Sequence, residues 1–368
     1  METSSKVRKL TNILFFDKNN IEDIKNDFQK KLDEITFSIN QNPNKNLDSN
    51  SNIPINPNYY GADDIKLLIL PNSKFNYINL NLTRAYANLK ASNNFSKIKR
   101  IFLLAHSFRG KVNKIYLSAY DSYETIFNKK FQIDKEIYEE LKDDPQNILK
   151  QHIIQYQINS YNVTSFEEVN SNGRLNIIEQ INTVNESEED YDFSFDLHLN
   201  YLSLLFEKED IKIIPIWFKT NMKDGKDKFI AYLNNFLSKH LITEDNILIC
   251  SSNLTYFGRN YNYFGNNKDY KKRTYIRAKE NEPKILQHIE NLDLETIELM
   301  LKCDEKNFLK VTNFNFSKDL FMLLMKVCQN LKLKLIFKNH LCLKFDSKDQ
   351  LEFELNFCTA GNFIASSN

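Results

Sequence analysis

The sequence predicts an α/β fold built as a single domain over residues 1–368, with a central, mostly parallel or mixed sheet and helices on both of its faces. Three observations lead there. Short apolar runs bounded by polar turns recur along the chain, amphipathic stretches of helical period lie between them, and no repeat of roughly 20 to 50 residues is found. With 368 residues, 42% hydrophobic and 26% charged, the chain can bury a full core without disulfides or metals.

The first element is a helix from Asn20 to Ser38. Ile21, Ile24, Phe28, Leu32 and Ile35 repeat at three- and four-residue steps behind an Asn20 cap, with Glu22 and Asp23 in the first turn. Residues 39–60, rich in Asn and Pro, have no period and too little apolar content to offset the entropy of ordering, which predicts a surface loop. Buried strands follow at Ile65 to Leu70, Ile101 to Leu104, Ile115 to Leu117, Ile211 to Phe218 and Ile247 to Cys250. Helical patterns cover Leu80 to Leu89, Asp134 to Leu141, Asp196 to Phe206, Lys228 to Leu237, Ile285 to Leu301 and Ser317 to Asn330. Leu331 to Phe337 and Leu351 to Phe357 alternate apolar with charged residues, as a strand pair with one wet face at a sheet edge would. Residues 157–190 are polar, acidic at Glu186, Glu188, Glu189 and Asp190, and without sustained period. They predict an excursion from the core.

Composition removes several classes of function. Lys plus Arg number 49 and Asp plus Glu 48, so any electrostatic role falls to local patches. No apolar run approaches the ~20 residues that cross a bilayer, and Met1 to Ser5 lack a secretory signature, which predicts a soluble, cytoplasmic protein with no membrane partner. The five cysteines, Cys250, Cys303, Cys328, Cys342 and Cys358, form no CxxC pair and suit reduced core thiols. GxGxxG, GxxxxGK[ST], GxSxG and HExxH are all missing, so dinucleotide, P-loop, hydrolase-elbow and zincin chemistries lack their residues. The six histidines are scattered, none paired at metal-ligand spacing. Adjacent carboxylates such as Glu139 and Glu140 would point ~100° apart on a helix and suit solvent. Seven glycines, seven prolines and a pervasive Asn/Lys/Ile bias suggest drift in an A/T-rich genome, so a single Asn carries little functional weight.

Strand ends are where α/β proteins place their sites. At Leu70 to Ser73, Leu104 to Arg109 and Ser251 to Gly258 an apolar strand runs into a small-polar turn. The order of these segments resembles the Memo family, whose fold is similar to class III extradiol dioxygenases. Ile101 to Ser107, with Tyr116-Leu117-Ser118, Tyr123-Glu124-Thr125 and Ile133-Asp134, resembles the family block IFILGPSHH...LS...Y.TPL..L.ID. Asp192 to Leu199 resembles EHS.E.HLP, followed by Ile213 to Ile216, and Ser251 to Gly258 resembles SSDF.HWG. Val7-Arg8-Lys9 with the first helix is similar to the family's N-terminal segment, and Thr359 to Phe363 to its terminal YAAGAL strand. The resemblance spans nearly the whole chain, although the excursion before Asp190 and the stretch Tyr270 to Lys279 are longer than in the family.

The resemblance also implies where family metal ligands would stand. Those positions hold Asn72, Phe108, Arg109, Asn253, Tyr256 and Phe314, with His106 displaced by about two residues from the family pair. An amide oxygen is a weak ligand for copper or iron and a phenyl ring has no lone pair, so these positions predict a vestigial site, no metal, no cofactor, no small-molecule substrate and no catalysis. Tyr270, Lys271, Lys272, Arg273, Tyr275, Arg277 and Lys279 interleave cations with aromatics, a pattern suited to phosphate contact and base stacking. Arg109, Lys111 and Lys114 form a smaller basic set near the vestigial positions. One degenerate branch of the family, the microsporidian dormancy factors, occupies the tRNA exit region of idle ribosomes, and this chain resembles that branch. The expectation is therefore a non-catalytic hibernation factor whose partner is the ribosome, touching rRNA and ribosomal proteins near the exit site. The alternative is a Memo-type redox enzyme, with metal held by substitutes such as His106, Cys250 or Cys358, or a phosphotyrosine-peptide adaptor using Arg109.

Overall fold

The computed structural model describes residues 7–10, 21–41, 63–72, 75–106, 114–142, 153–155, 162–169, 175–182, 194–219, 226–257, 282–311, 318–344 and 357–367. Its strands in chain order are β1 (Val7–Lys9), β2 (Ile65–Leu70), β3 (Arg100–His106), β4 (Lys114–Leu117), β5 (Ser122–Glu124), β6 (Lys130–Ile133), β7 (Ile153–Gln155), β8 (Asn162–Val169), β9 (Leu175–Asn182), β10 (Lys212–Lys219), β11 (Asn246–Ser251), β12 (Tyr256–Phe257), β13 (Lys334–Lys344) and β14 (Phe357–Ser366). The helices are α1 (Ile21–Gln41), α2 (Phe75–Lys90), α3 (Lys135–Lys142), α4 (Asp196–Leu205), α5 (Lys226–Leu241), α6 (Glu282–Leu301), α7 (Glu305–Phe308) and α8 (Lys318–Leu331).

Among the described residues, twelve strands join in one mixed sheet whose main order is β1-β5-β6-β10-β3-β11-β2-β14-β12. β13 lies on β14, and β4 bridges β10 and β7. Four neighbours at the centre, β10, β3, β11 and β2, are parallel. Every residue of β2 and β11 is buried, and strands covered on both faces read in sequence as unbroken apolar runs, as IKLLIL does. Ser251 is in register with both Leu70 and Ala105, so the carboxyl ends of these strands are level and their following turns open on one edge. α1 packs on α2, and α2 on α4, β2 and β14, while α5 packs on α8 and β11. The α/β class and the helix-flanked mixed sheet agree with the sequence.

Boundaries differ for identifiable reasons. α1 runs to Gln41 because Ile39, 2% exposed, continues the buried stripe of Phe28 and Leu32. The rest of the expected 39–60 loop lies outside the described residues. α2 starts five residues before Leu80, since Asn76, Asn79 and Asn81 hide its period; Asn79 Oδ1 is used inside, accepting from Tyr201 Oη at 2.7 Å. β13 continues past Phe337 through a register shift between Phe337 and Asn339, which breaks the alternation expected there. The strand expected at Leu351 to Phe357 overlaps the described residues only at Phe357. The strand that follows, β14, is buried on both sides and shows no alternation. Within it a Cβ on Gly361 would meet Phe337 Cε2 at 3.0 Å and Phe363 Cε2 at 3.1 Å, so glycine is what lets the two rings close over the strand. Within residues 157–190, β8 and β9 pair antiparallel over eight residues each as a separate two-stranded sheet.

Candidate functional site

The turn after β11 carries the site. Ser252 N donates to Leu70 O at 2.9 Å, extending the β11–β2 ladder by one step and bringing Asn253 against the end of β2. There Asn253 and Asn72 close a reciprocal pair. Asn72 N donates to Asn253 Oδ1 at 3.0 Å, and Asn253 Nδ2 donates to Asn72 O at 2.7 Å. The second hydrogen of Nδ2 goes to Tyr256 Oη at 3.0 Å. Asn253 is 1% exposed, so a primary amide with both donors and an acceptor engaged is the group this space demands. A carboxylate could not donate to the Asn72 carbonyl.

Around this clamp lie two further polar chains. Thr255 and Thr359 tie the turn to β14: Thr359 N donates to Thr255 O at 2.7 Å and Thr255 N to Thr359 Oγ1 at 3.0 Å. Thr255 Oγ1 then donates to Asp293 Oδ1 of α6 at 2.7 Å, and His340 Nε2 of β13 lies 2.9 Å from Asp293 Oδ2. Asp293 is fully buried, with both carboxylate oxygens matched.

Beneath the turn, Ser251 Oγ donates to Ser194 O at 2.6 Å. With its only proton used, Ser251 Oγ must accept from His198 Nε2 at 3.2 Å, which fixes the Nε2–H tautomer. His198 Nδ1 then accepts from Tyr86 Oη at 3.0 Å. Burial pulls the His198 pKa down to about 3, so the imidazole is neutral, and burial pushes the Tyr86 phenol well up. Charge enters elsewhere. Arg8 of β1 meets Asp196 at 3.3 Å, each side chain 4% exposed, with the guanidinium 5.3 Å from the centre of the Tyr123 ring.

Asn72, 181 residues before Asn253, is thus brought by hydrogen bonds to Asn253, which also holds Tyr256 three residues on. Phe108, Arg109, Phe314 and the segment from Tyr270 to Lys279 lie outside the described residues. Of the substitutes considered for a metal, His106 ends β3 in register with Phe218, and Cys250 and Cys358 are buried, with burial pushing both thiols up from the thiolate form. Asn72, Asn253 and Tyr256 do not fit the metal that the family resemblance implies. They offer no imidazole, thiolate or carboxylate, and the Asn253 amide is committed to the protein. Among the described residues no group of three or more His, Cys, Asp or Glu could hold a metal ion. Sequence reasoning missed the Asp293–His340 and His198–Ser251 links. Their partners are 47 and 53 residues apart, so no local spacing marks them.

An α/β protein with a large mixed sheet and its candidate site at the carboxyl edge is the class these observations define. The chain is similar to the Memo family over part of its length: the family model for Memo-like protein matches residues 167–319, a span holding His198, Ser251, Asn253, Tyr256 and Asp293. No curated protein matches the chain. Among the described residues no helix is long and apolar enough to cross a membrane.

Proposed function

We propose that the chain acts by binding rather than by catalysis, as a ribosome-associated dormancy protein that occupies the tRNA exit region of idle ribosomes. One observation supports the non-catalytic half of this reading: of the positions where the family resemblance sets metal ligands, the three among the described residues are neutral, with the Asn253 amide spent on Asn72 and Tyr256. The ribosomal half rests on the interleaved cations and aromatics from Tyr270 to Lys279, which follow the same turn in the chain, and on the resemblance to the degenerate branch. Cytoplasmic location and contact with rRNA and ribosomal proteins belong to the same proposal.

Co-sedimentation with ribosomes through a sucrose cushion, at low and at moderate salt, tests it. Stoichiometric pelleting that survives moderate salt is expected, and charge reversal of Lys271, Lys272 and Arg273 should weaken pelleting and flatten its salt dependence. Absence from the pellet at low salt would overturn the ribosomal reading and turn attention to a peptide-adaptor role for Arg109.

A further inference from the structure

His340 has one ring nitrogen engaged and one unengaged. Its Nε2 lies 2.9 Å from Asp293 Oδ2, while Asp293 Oδ1 accepts from Thr255 Oγ1 at 2.7 Å. The fully buried carboxylate thus takes a hydrogen from the ring, which makes Nε2–H the tautomer and leaves Nδ1 as an acceptor. Among the described residues Nδ1 has no hydrogen-bond partner. The side chain is 7% exposed. A histidine held at one nitrogen by a carboxylate, with the lone pair of the other unmet, is the arrangement of an oriented base.

A thiol shares that face. The pairing of β13 with β14 is unbroken from Asn339 to Lys344, so Cys342 lies on the same face as His340, their Cα atoms about 7 Å apart. Gly361 opposes His340 and Thr359 opposes Cys342, so the paired positions of β14 add only a hydroxyl between them and solvent. Cys250, Cys328 and Cys358 are buried and Cys303 is half-buried, whereas Cys342 is exposed and is no core thiol. Burial pushes the neighbouring Cys358 thiol up, and Cys342 and then Asp293 push it further, so both act on one point. The groups that face His340 are Asp293 from α6, Gly361 and Thr359 from β14, and Thr255 of the β11 turn behind the carboxylate. Of these only Asp293 is charged.

We infer that Cys342 is a covalent modification site for a small organic disulfide, with His340 as its base. His340 Nδ1 accepts the proton of the Cys342 thiol, and the thiolate attacks one sulfur of the disulfide. The new S–S bond forms as the old one breaks, and the leaving thiolate takes the proton back from His340. Cys342 is oxidised, and the disulfide is reduced to one free thiol. The modification is stoichiometric and stands apart from ribosome binding.

The test uses the full-length protein and dithiobis(nitrobenzoate), with N-acetylcysteine as the unassisted thiol. At pH 7 one thiol per chain should react about 10-fold faster than N-acetylcysteine, and Cys342→Ser should remove that phase while Cys303→Ser keeps it. His340→Asn should slow the phase by about 10-fold at pH 7 and by less than about 3-fold at pH 9.5, where a thiol ionises unaided. A fast phase that survives Cys342→Ser, or a parent no faster than N-acetylcysteine, would overturn the site. An equal deficit of His340→Asn at both pH values would assign the effect to altered shape and overturn the base. Should His340→Asn fail to fold by circular dichroism, the parent and Cys342→Ser rates still decide.

Discussion

The two edges of the central sheet solve opposite problems. At the amino edge, where β3, β10 and β11 begin, the chain uses charge: Arg100 Nε donates to Asp134 at 2.8 Å and reaches Asp245 at 3.5 Å, Lys212 lies 3.8 Å from Asp134, and Lys97 pairs with Glu244. Apart from Asp134, those side chains are 31–57% exposed. At the carboxyl edge, mostly buried amides and hydroxyls meet, with Asp293 bonded to His340 and with His198 beneath the turn. Water already solvates the first edge, so each pair there adds little; the second is dry, so each unmet group would cost its full desolvation. Among the described residues of the carboxyl edge, the Asn72–Asn253–Tyr256 clamp is built of neutral groups bonded to one another.

The largest test of that contrast is Asn253→Asp. It sets a carboxylate against the Asn72 carbonyl and should cost about 3 kcal/mol at pH 7. Burial and the facing carbonyl would raise the folded-state pKa of the new Asp above its unfolded value, so the penalty is present at high pH and fades as pH falls through the folded pKa. Urea midpoints for parent and variant at pH 7 and pH 4 should therefore converge on acidification, and parallel curves would refute the clamp.

Next in size is the acid dependence of His198. Its native pKa of about 3 lies below the usual 6.5, so below pH 6.5 the unfolded chain takes up a proton that the native chain refuses. Stability should fall by about 1.4 kcal/mol per pH unit, roughly 2 kcal/mol between pH 6.5 and 5. His198→Gln should make that slope shallower, and an unchanged slope would assign it to other groups.

Smaller effects belong to the amino edge. Arg100→Met leaves Lys212 as the nearest cation to the buried Asp134 carboxylate and should cost about 1 kcal/mol by thermal or urea unfolding, with the difference shrinking in 1 M NaCl. Lys97→Ala should leave the midpoint unchanged within error, because that pair lies in water. A large effect at Lys97 would erase the distinction between the edges.

Sequence alone revealed the parts in which one physical signal dominates. β2, as Ile65 to Leu70, could be read to the residue because burial on both faces leaves no polar position in IKLLIL except Lys66, whose ammonium reaches Thr243 O. β1, β5 and β6 have three or four residues each, too few for any period. No period marks β14, because Thr359, Gly361 and Asn362 are small or polar residues buried for reasons of packing and hydrogen bonding, and only the resemblance pointed to a strand at Thr359 to Phe363. The hairpin did leave a trace: Asn170-Ser171-Asn172-Gly173 is a turn sequence between two runs of strand-forming residues, masked by acidic composition. At the site, the resemblance brought Asn72, Asn253 and Tyr256 to one place, but what they do for each other depends on which amide hydrogen faces which oxygen, and that is fixed only by the fold.

The strand order has a consequence for how the chain is made. β11 lies between β3 and β2, yet its first residue, Asn246, follows the end of β3 at His106 by 140 positions. At translation speeds of about 5–20 residues per second, the two outer strands wait on the order of ten seconds for the one that separates them. During that interval β2 and β3 each lack a partner on their facing edges, so the nascent chain is most prone to non-native pairing after its first third has emerged and before its middle strand arrives.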